Sequence, residues 1–577
     1  MFRLSSSVAL SAGFAAALHL ALPATARAEA PADVDLTIAG SYLAARFASS
    51  ERDSDAAVTY LRNLLKLDSR NEDVVERAFF ATLADGQVDE AMKLADRLVK
   101  VDRSHRIARL ALAVKAIKKS QYQTARTNLS LSVRGPIGDL TATLLAAWTF
   151  YGSGNAKGAV ELIDRLQGPD WYAPLKALHS GLILDASGNK KDAGKRLLDA
   201  VKLDPGSLRT VEAYARWLSR NDGPAAAIAA YADFEKAMPN NPVVATALKE
   251  LNAGKALPPL VSTAQQGSAE VLYGLGSTLG RQGGEDLALV YLQLASWLDP
   301  DHPFTAITLA DLYEQLQQPQ KAIETYELVA AGSPLKRNAE VKEAINLDSI
   351  DKPDEAKKKL AALIAADPKD VEAIMALGRI QQSRKQFAEC ATTYSRAIDL
   401  TGEPSKSNWP LFYFRGICSE RSKNWPAAEA DLKKALALNP DQPNVLNYLG
   451  YSWVDQGVNL DEGLDMIRKA VALRPDDGHI VDSLGWAYYR MGRYEDAVTE
   501  LERAIELMPQ DPVVNDHLGD AYWKVGRRLE AGFQWAHARD MKPDPEDLEK
   551  IVKKIDKGLD AVDQPAPVRK AEDQKGG

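Results

Sequence analysis

The sequence of 577 residues contains only two cysteines, Cys390 and Cys418. That excludes a disulfide-dense scaffold and a cysteine-rich zinc module. Basic side chains do not outnumber acidic ones: 71 stand against 79, a net charge of −8. A nucleic-acid groove needs a basic excess, so no nucleic-acid partner is expected. Seven histidines are scattered without a metal-ligating spacing, so neither a metal nor a cofactor is expected. Aromatic residues reach only 7%. What is present is ordinary for a folded chain, with 46% apolar and 26% charged residues. Alanine and leucine are plentiful and β-branched residues scarce, which favours helices. At roughly 150 residues per domain the length allows three or four domains, unless a repeat is present.

The N-terminus reads as an address. Arg3 precedes an apolar run from Val8 to Leu22, Pro23 ends it, and Ala26-Arg27-Ala28 has the form of a cleavage site. The run is too short for the roughly 20 residues of a membrane span, so residues 1–28 are expected to be a secretory signal cleaved after Ala28. No cysteine lies near that site, so a lipoprotein is not expected. Cleavage removes two arginines and no acid, taking the charge from −8 to −10. No later run of 18 apolar residues occurs, so no membrane span is expected. The expected location is the periplasm.

The remainder repeats. Leu484-Gly485, Tyr488, Ala497, Leu501, Ala504 and Pro509 return 34 residues later as Leu518-Gly519, Tyr522, Ala531, Trp535, Ala538 and Pro543. Leu449-Gly450, Trp453, Ala470 and Pro475 precede them with one extra residue. Walking back, units begin at Ile38, Glu72, Arg106, Leu140, Pro174 and Leu208, then Ala269, Pro303, Arg337 and Val371, then Trp409, Pro443, Gly478 and Pro512. The twentieth residue is Ala57, Ala91, Ala125, Ala159, Ala193 or Ala227 in the first six. It is Ala288, Ala322, Ala356 or Cys390 in the next four. These residues resemble the tetratricopeptide repeat (TPR) family. Small residues at positions 8 and 20 let two antiparallel helices approach, and proline at 32 stops the second. One such hairpin cannot bury its apolar face alone, so hairpins must stack. The expected fold is all-α, an α-solenoid of about 14 helix-turn-helix repeats with a C-terminal capping helix. The expected layout is a divergent array over 29–241, a half repeat and irregular linker over 242–268, and a second array over 269–543. A capping helix over 544–560 and a disordered tail over 561–577 complete it. The chain is expected to flex at Asn252–Gly267, where Pro258-Pro259 interrupts the pattern.

Catalytic patterns are not met. Gly188 to Lys195 has the wrong spacing for a phosphate loop and falls inside a repeat, with no preceding strand. Gly274-x-Gly276 is a repeat glycine rather than a dinucleotide loop, and no nucleophile elbow occurs. No enzyme is expected. Cys390 and Cys418 read best as two inert buried thiols, with a disulfide joining their repeats as the alternative.

The TPR resemblance implies that first-helix positions 2, 5, 9, 12 and 13 line a concave groove. In the later repeats these positions hold Tyr413, Arg421, Asn444, Asn447, Tyr451, Asp455, Asp482, Trp486, Tyr489, Arg490, Asp516, Asp520, Trp523 and Lys524. The repeat does not need aromatics there for packing, so Trp and Tyr are expected to face solvent beside Asp and Arg. That composition matches protein-binding hot spots. The expected partners are proteins or extended peptides. Asp482 and Asp516 occupy inward positions, so the Lys, Asn and Arg clamp by which some TPR modules hold a terminal carboxylate is not matched, and a neutral, basic or apolar segment is favoured. The runs Leu484 to Arg490 and Leu518 to Trp523 further resemble exported proteobacterial TPR proteins. Among those are periplasmic adaptors that collect a carboxy-terminal processing protease and its clients. Those adaptors are lipoproteins, a point of departure here. The alternative is a structural component of envelope biogenesis or polysaccharide export.

Overall fold

The computed structural model describes residues 37–132 and 135–562. The expected signal segment, its cleavage site and the tail from 563 onward lie outside the described residues. Thirty α-helices and two short 3-10 turns, and no strand, appear among the described residues. The chain divides after Ala366 into two compact units.

The first unit pairs α1 (Ile38–Ser50) with α2 (Ser54–Leu67), α3 (Glu72–Ala84) with α4 (Val88–Val101), and α5 (Arg106–Lys118) with α6 (Tyr122–Ser132). Next come α7 (Gly135–Gly152) with α8 (Ala156–Arg165), α9 (Tyr172–Ala186) with α10 (Lys190–Leu203), and α11 (Leu208–Asn221) with α12 (Pro224–Ala237). A single helix, α13 (Pro242–Asn252), comes next. Then follow α14 (Ala264–Arg281) with α15 (Glu285–Leu298), α16 (Thr305–Gln315) with α17 (Pro319–Glu327), and α18 (Lys336–Ser349) with α19 (Pro353–Ala366). The second unit holds α20 (Val371–Ser383) with α21 (Phe387–Leu400), α22 (Trp409–Arg421) with α23 (Trp425–Leu438), and α24 (Pro443–Gln456) with α25 (Leu460–Leu473). It ends with α26 (Gly478–Arg490), α27 (Tyr494–Leu507), α28 (Pro512–Lys524), α29 (Arg528–Asp540) and the single cap α30 (Pro545–Lys557). Fourteen hairpins result.

Local chemistry starts and stops these helices. Asp370 and Asp511 cap α20 and α28, their carboxylates accepting from Ala373 N at 2.9 Å and Val513 N at 2.8 Å. Pro443 and Pro512 open helices where the missing N–H costs nothing. Gly526 turns between α28 and α29 at φ 86°, a conformation glycine adopts without Cβ strain. Packing then explains the period. Ala91, Ala125, Ala159, Ala193, Ala227, Ala288, Ala322 and Ala356 are all fully buried where paired helices touch. The position-8 glycines are equally constrained. A Cβ on Gly450 would stand 2.6 Å from the Gly463 carbonyl, and one on Gly485 2.5 Å from Leu501 Cγ.

Several expectations are corrected. The irregular stretch is shorter than 242–268 allowed, because α14 already begins at Ala264. It is also pinned rather than free to flex. Leu257 and Val261 are buried. Leu257 N donates to Ser219 Oγ at 3.0 Å, and Arg220 donates to the Leu257 carbonyl at 3.0 Å. Tyr151 donates to the Ser262 carbonyl at 3.1 Å. The cysteines are also not free thiols. Cys390 on α21 and Cys418 on α22 form a disulfide with Cα atoms 5.9 Å apart. Position 10 of one repeat faces the preceding second helix, which brings the two sulfurs together. The 3-10 turn Leu559–Ala561 takes in Ala561, the first residue of the expected tail.

The linker has a consequence inside the first unit. It returns the chain so that α14 and α15 lie mainly against the first helices of earlier hairpins. α14 packs on α5, α7 and α9, and α15 on α3, α4 and α5. Leu272, Leu275, Tyr291 and Leu294 share one core with Ala111, Leu144 and Trp148. Gly267 lies so close to Trp148 that a Cβ there would meet the indole at 2.2 Å. Tyr291 and Thr141 hydroxyls meet at 3.0 Å, and Gln265 donates to the Lys118 carbonyl at 2.7 Å. A buried ionic cluster locks the same docking. Arg209 on α11 donates from Nε to Glu270 on α14 at 2.9 Å, and Glu270 lies 3.0 Å from His302. Burial opposes the Glu270 carboxylate, but Arg209 and His302 outweigh it and hold its pKa well below the usual range. The first-helix face of the earlier hairpins is therefore covered, in this unit, by the chain itself.

Candidate functional site

In the second unit the inward positions come from α22, α24, α26 and α28. The structure sorts the fourteen candidates into three groups. Arg421, Asp455 and Lys524 are exposed, Asn444, Asn447, Tyr451, Asp516 and Trp523 are half-buried, and Tyr413, Asp482, Trp486, Tyr489, Arg490 and Asp520 are buried.

The expectation that the aromatics face solvent is corrected by the third group. Trp486 retains 9% exposure and Tyr489 4%. Successive first helices pack side by side, with α26 against both α24 and α28. Aromatic rings on their shared face therefore stack on one another. Trp486 lies between Tyr489, with centroids 4.7 Å apart at 11°, and His517, 4.0 Å apart at 17°. Tyr413 is taken up by Trp409 and Tyr448, with centroids at 5.9 and 6.1 Å.

The expected acidic character is corrected as well. Asp482 holds the His517 ring by Nδ1 at 3.0 and 3.1 Å. Arg490 forms an ion pair with Asp455. Lys554 reaches from the cap α30 to Asp516 at 2.8 Å and Asp520 at 2.8 Å. Asp520 also accepts from Trp535 Nε1 at 3.0 Å. These carboxylates are neutralised within the unit, so the face is less acidic than its sequence.

Burial shapes the titration of this cluster. It pushes the Asp520 carboxyl up to about 6, with Lys554 opposing the rise. Burial also works against the His517 imidazolium, but Asp482 outweighs it and the pKa lies above the ordinary value. The Lys554 ammonium is penalised by burial, yet Asp520 and Asp516 raise its pKa. His517 and Lys554 are thus members of the cluster that sequence reasoning missed. A signal existed for Lys554. It lies three residues after Ile551, on the face of α30 that packs against the last hairpin.

What remains accessible is a polar strip on a rigid base. Asn447 Nδ2 donates to Ser483 Oγ at 3.1 Å, while its amide oxygen is buried, without a partner among the described residues. Arg421 lies over the Phe387 ring at 5.4 Å, and Arg528 over Trp523 at 4.9 Å. Amides, a phenol and guanidinium groups suit a peptide backbone and its side chains. Among the described residues no group of three His, Cys, Asp or Glu side chains could hold a metal ion. None of their helices is long and apolar enough to cross a membrane.

Stacked helical hairpins with an accessible first-helix strip define a helical-repeat scaffold. Comparison with protein families specifies the repeat. A model described as TPR repeat matches residues 485–526, and models described as tetratricopeptide repeat match 420–478 and 306–330. The chain therefore contains tetratricopeptide repeats. Similar solved structures include the APC/C hetero-tetramer Cut9–Hcn1, at 14% identity and a TM-score of 0.39, covering 90% of this chain and 96% of that one. Yeast Tom70 is 12% identical at a TM-score of 0.32, with 90% and 95% covered. YrrB, a TPR protein with an unusual peptide-binding site, is 16% identical at a TM-score of 0.22, with 38% and 92% covered. No curated protein matches the sequence.

Proposed function

We propose that this chain is an exported TPR scaffold that holds extended segments of other proteins on the first-helix face of its second unit. The observation that carries the reading is the contrast between the two units. In the first, the corresponding face is filled by α14 and α15. In the second, Arg421, Asn444, Asn447, Tyr451 and Lys524 retain accessible surface on a base fixed by the Trp486–His517 stack. Fixed side chains lose little freedom on binding, which favours affinity. Export is supported by the N-terminal signal pattern and by the Cys390–Cys418 disulfide, since disulfides persist in oxidising compartments. The finer role we assign is that of an adaptor presenting clients to a periplasmic carboxy-terminal processing protease. The runs Leu484 to Arg490 and Leu518 to Trp523 support it.

The test is affinity capture from periplasmic extract by the full chain and by an Arg421→Ala/Tyr451→Ala variant. These side chains are chosen because Trp486 is structural. Capture of a processing protease with unfolded clients, lost in the variant, is the expected result. Capture of polysaccharide-export proteins instead overturns the adaptor role. Equal capture by both forms overturns the assigned face.

A further inference from the structure

Although α14 and α15 fill the first-helix face of the first unit, they leave a cavity of about 410 Å³ between α5, α7 and α15. Packed interiors seldom leave voids larger than a water molecule, whereas small-ligand sites span about 300–1,000 Å³. The cavity has the size of the second kind. Its walls are apolar, formed by Ile107, Leu110, Ile137 and Leu287. Its buried polar side chains are already satisfied, Ser132 donating to the Leu129 carbonyl at 2.8 Å. Thr141 donates to the Ile137 carbonyl at 2.6 Å and meets the Tyr291 hydroxyl at 3.0 Å. The interior therefore offers a polar ligand nothing to bond.

The mouth differs. Arg106 lines it, is exposed, and forms no ion pair among the described residues. Ile107 and Gly138 stand in the first turns of α5 and α7, whose partial positive ends reinforce the guanidinium field. An occupant complementary to this arrangement is apolar along its length and anionic at one end.

We infer that the cavity binds a fatty acid, with its aliphatic chain between α5, α7 and α15 and its carboxylate at Arg106. At about 30 Å³ per methylene-sized group, the share of one water in the liquid, there is room for about 13 non-hydrogen atoms, enough for a ten-carbon acid with its carboxylate oxygens. The site is separate from the peptide-binding face proposed above, and its failure would leave that reading intact.

Isothermal titration of the full chain with decanoate, 1-decanol and acetate tests the assignment. Decanoate is expected to bind with a dissociation constant below about 100 µM, and acetate not at all. Gly138 allows a plug, because a Cβ there meets nothing closer than the Ser132 carbonyl at 3.9 Å. Gly138→Leu is expected to abolish binding without lowering the melting temperature, and Ile137→Phe supplies a second plug if that variant misfolds. Arg106→Gln, at an exposed position, is expected to weaken decanoate by about fivefold and leave 1-decanol unchanged. No decanoate binding at about 1 mM overturns the proposal. So does undiminished binding in a folded plug variant. Equal binding of decanol and decanoate, unaffected by Arg106→Gln, overturns the carboxylate assignment.

Discussion

His179 offers a direct probe of the first unit's interior. It sits on α9, fully buried, and its Nδ1 accepts from Trp148 Nε1 at 3.2 Å. Its Nε2 has no partner among the described residues. Burial disfavours the imidazolium and lowers the pKa to about 4, with Glu270 opposing only weakly. An unfolded histidine titrates near 6.5. The folded pKa is depressed, so the stabilising contribution is complete above about pH 6.5 and is lost as pH falls through about 4. The loss reaches about 2 kcal/mol by pH 5 and about 3 kcal/mol when complete. His179→Gln keeps an acceptor for Trp148 and removes the titration. The assay is urea unfolding of the full chain and of this variant, read by hydrogen exchange in peptides covering α7 and α9. The stability difference between parent and variant should shift in the variant's favour by about 2 kcal/mol between about pH 7 and pH 5. A difference that stays constant over that range would refute the neutral, desolvated histidine and the docking that buries it.

The second unit should respond to acid in the opposite sense. The raised pKa values of Asp520, about 6, and of His517 mean that its folded form binds more protons, so its stability should rise as pH falls from about 8 to about 5. Hydrogen exchange across α26 and α28 reads this, and His517→Gln should reduce the slope. Gly485→Ala and Gly267→Ala should each destabilise by about 1–3 kcal/mol in thermal melts, because the added Cβ meets Leu501 or Trp148. The same change in an exposed helix would stabilise by about 1 kcal/mol, so the sign is diagnostic. Reducing Cys390–Cys418, which closes a loop across a sequence separation of 28, should cost about 3–4 kcal/mol, seen as a lower melting transition for the second unit in dithiothreitol.

The sequence by itself determined the hairpins. Helices begin at Ile38, Glu72, Arg106, Leu208, Val371, Trp409, Pro443, Gly478 and Pro512, where the period places them. The contacts behind the period are local. Gly485 meets Leu501 within one hairpin, and proline and glycine act on the backbone beside them. The first-helix positions of Asp482, Trp486 and Asp516 were legible for the same reason. Their burial was not, because it depends on His517 from the next first helix and Lys554 from the cap. The docking of α14 and α15 was decided only by the tertiary structure. Thr141 meets Tyr291 across 150 residues, and Arg209 meets Glu270 across 61. A 34-residue repeat records how each unit meets its neighbour, but no periodic pattern records which distant surface a returning chain will fill.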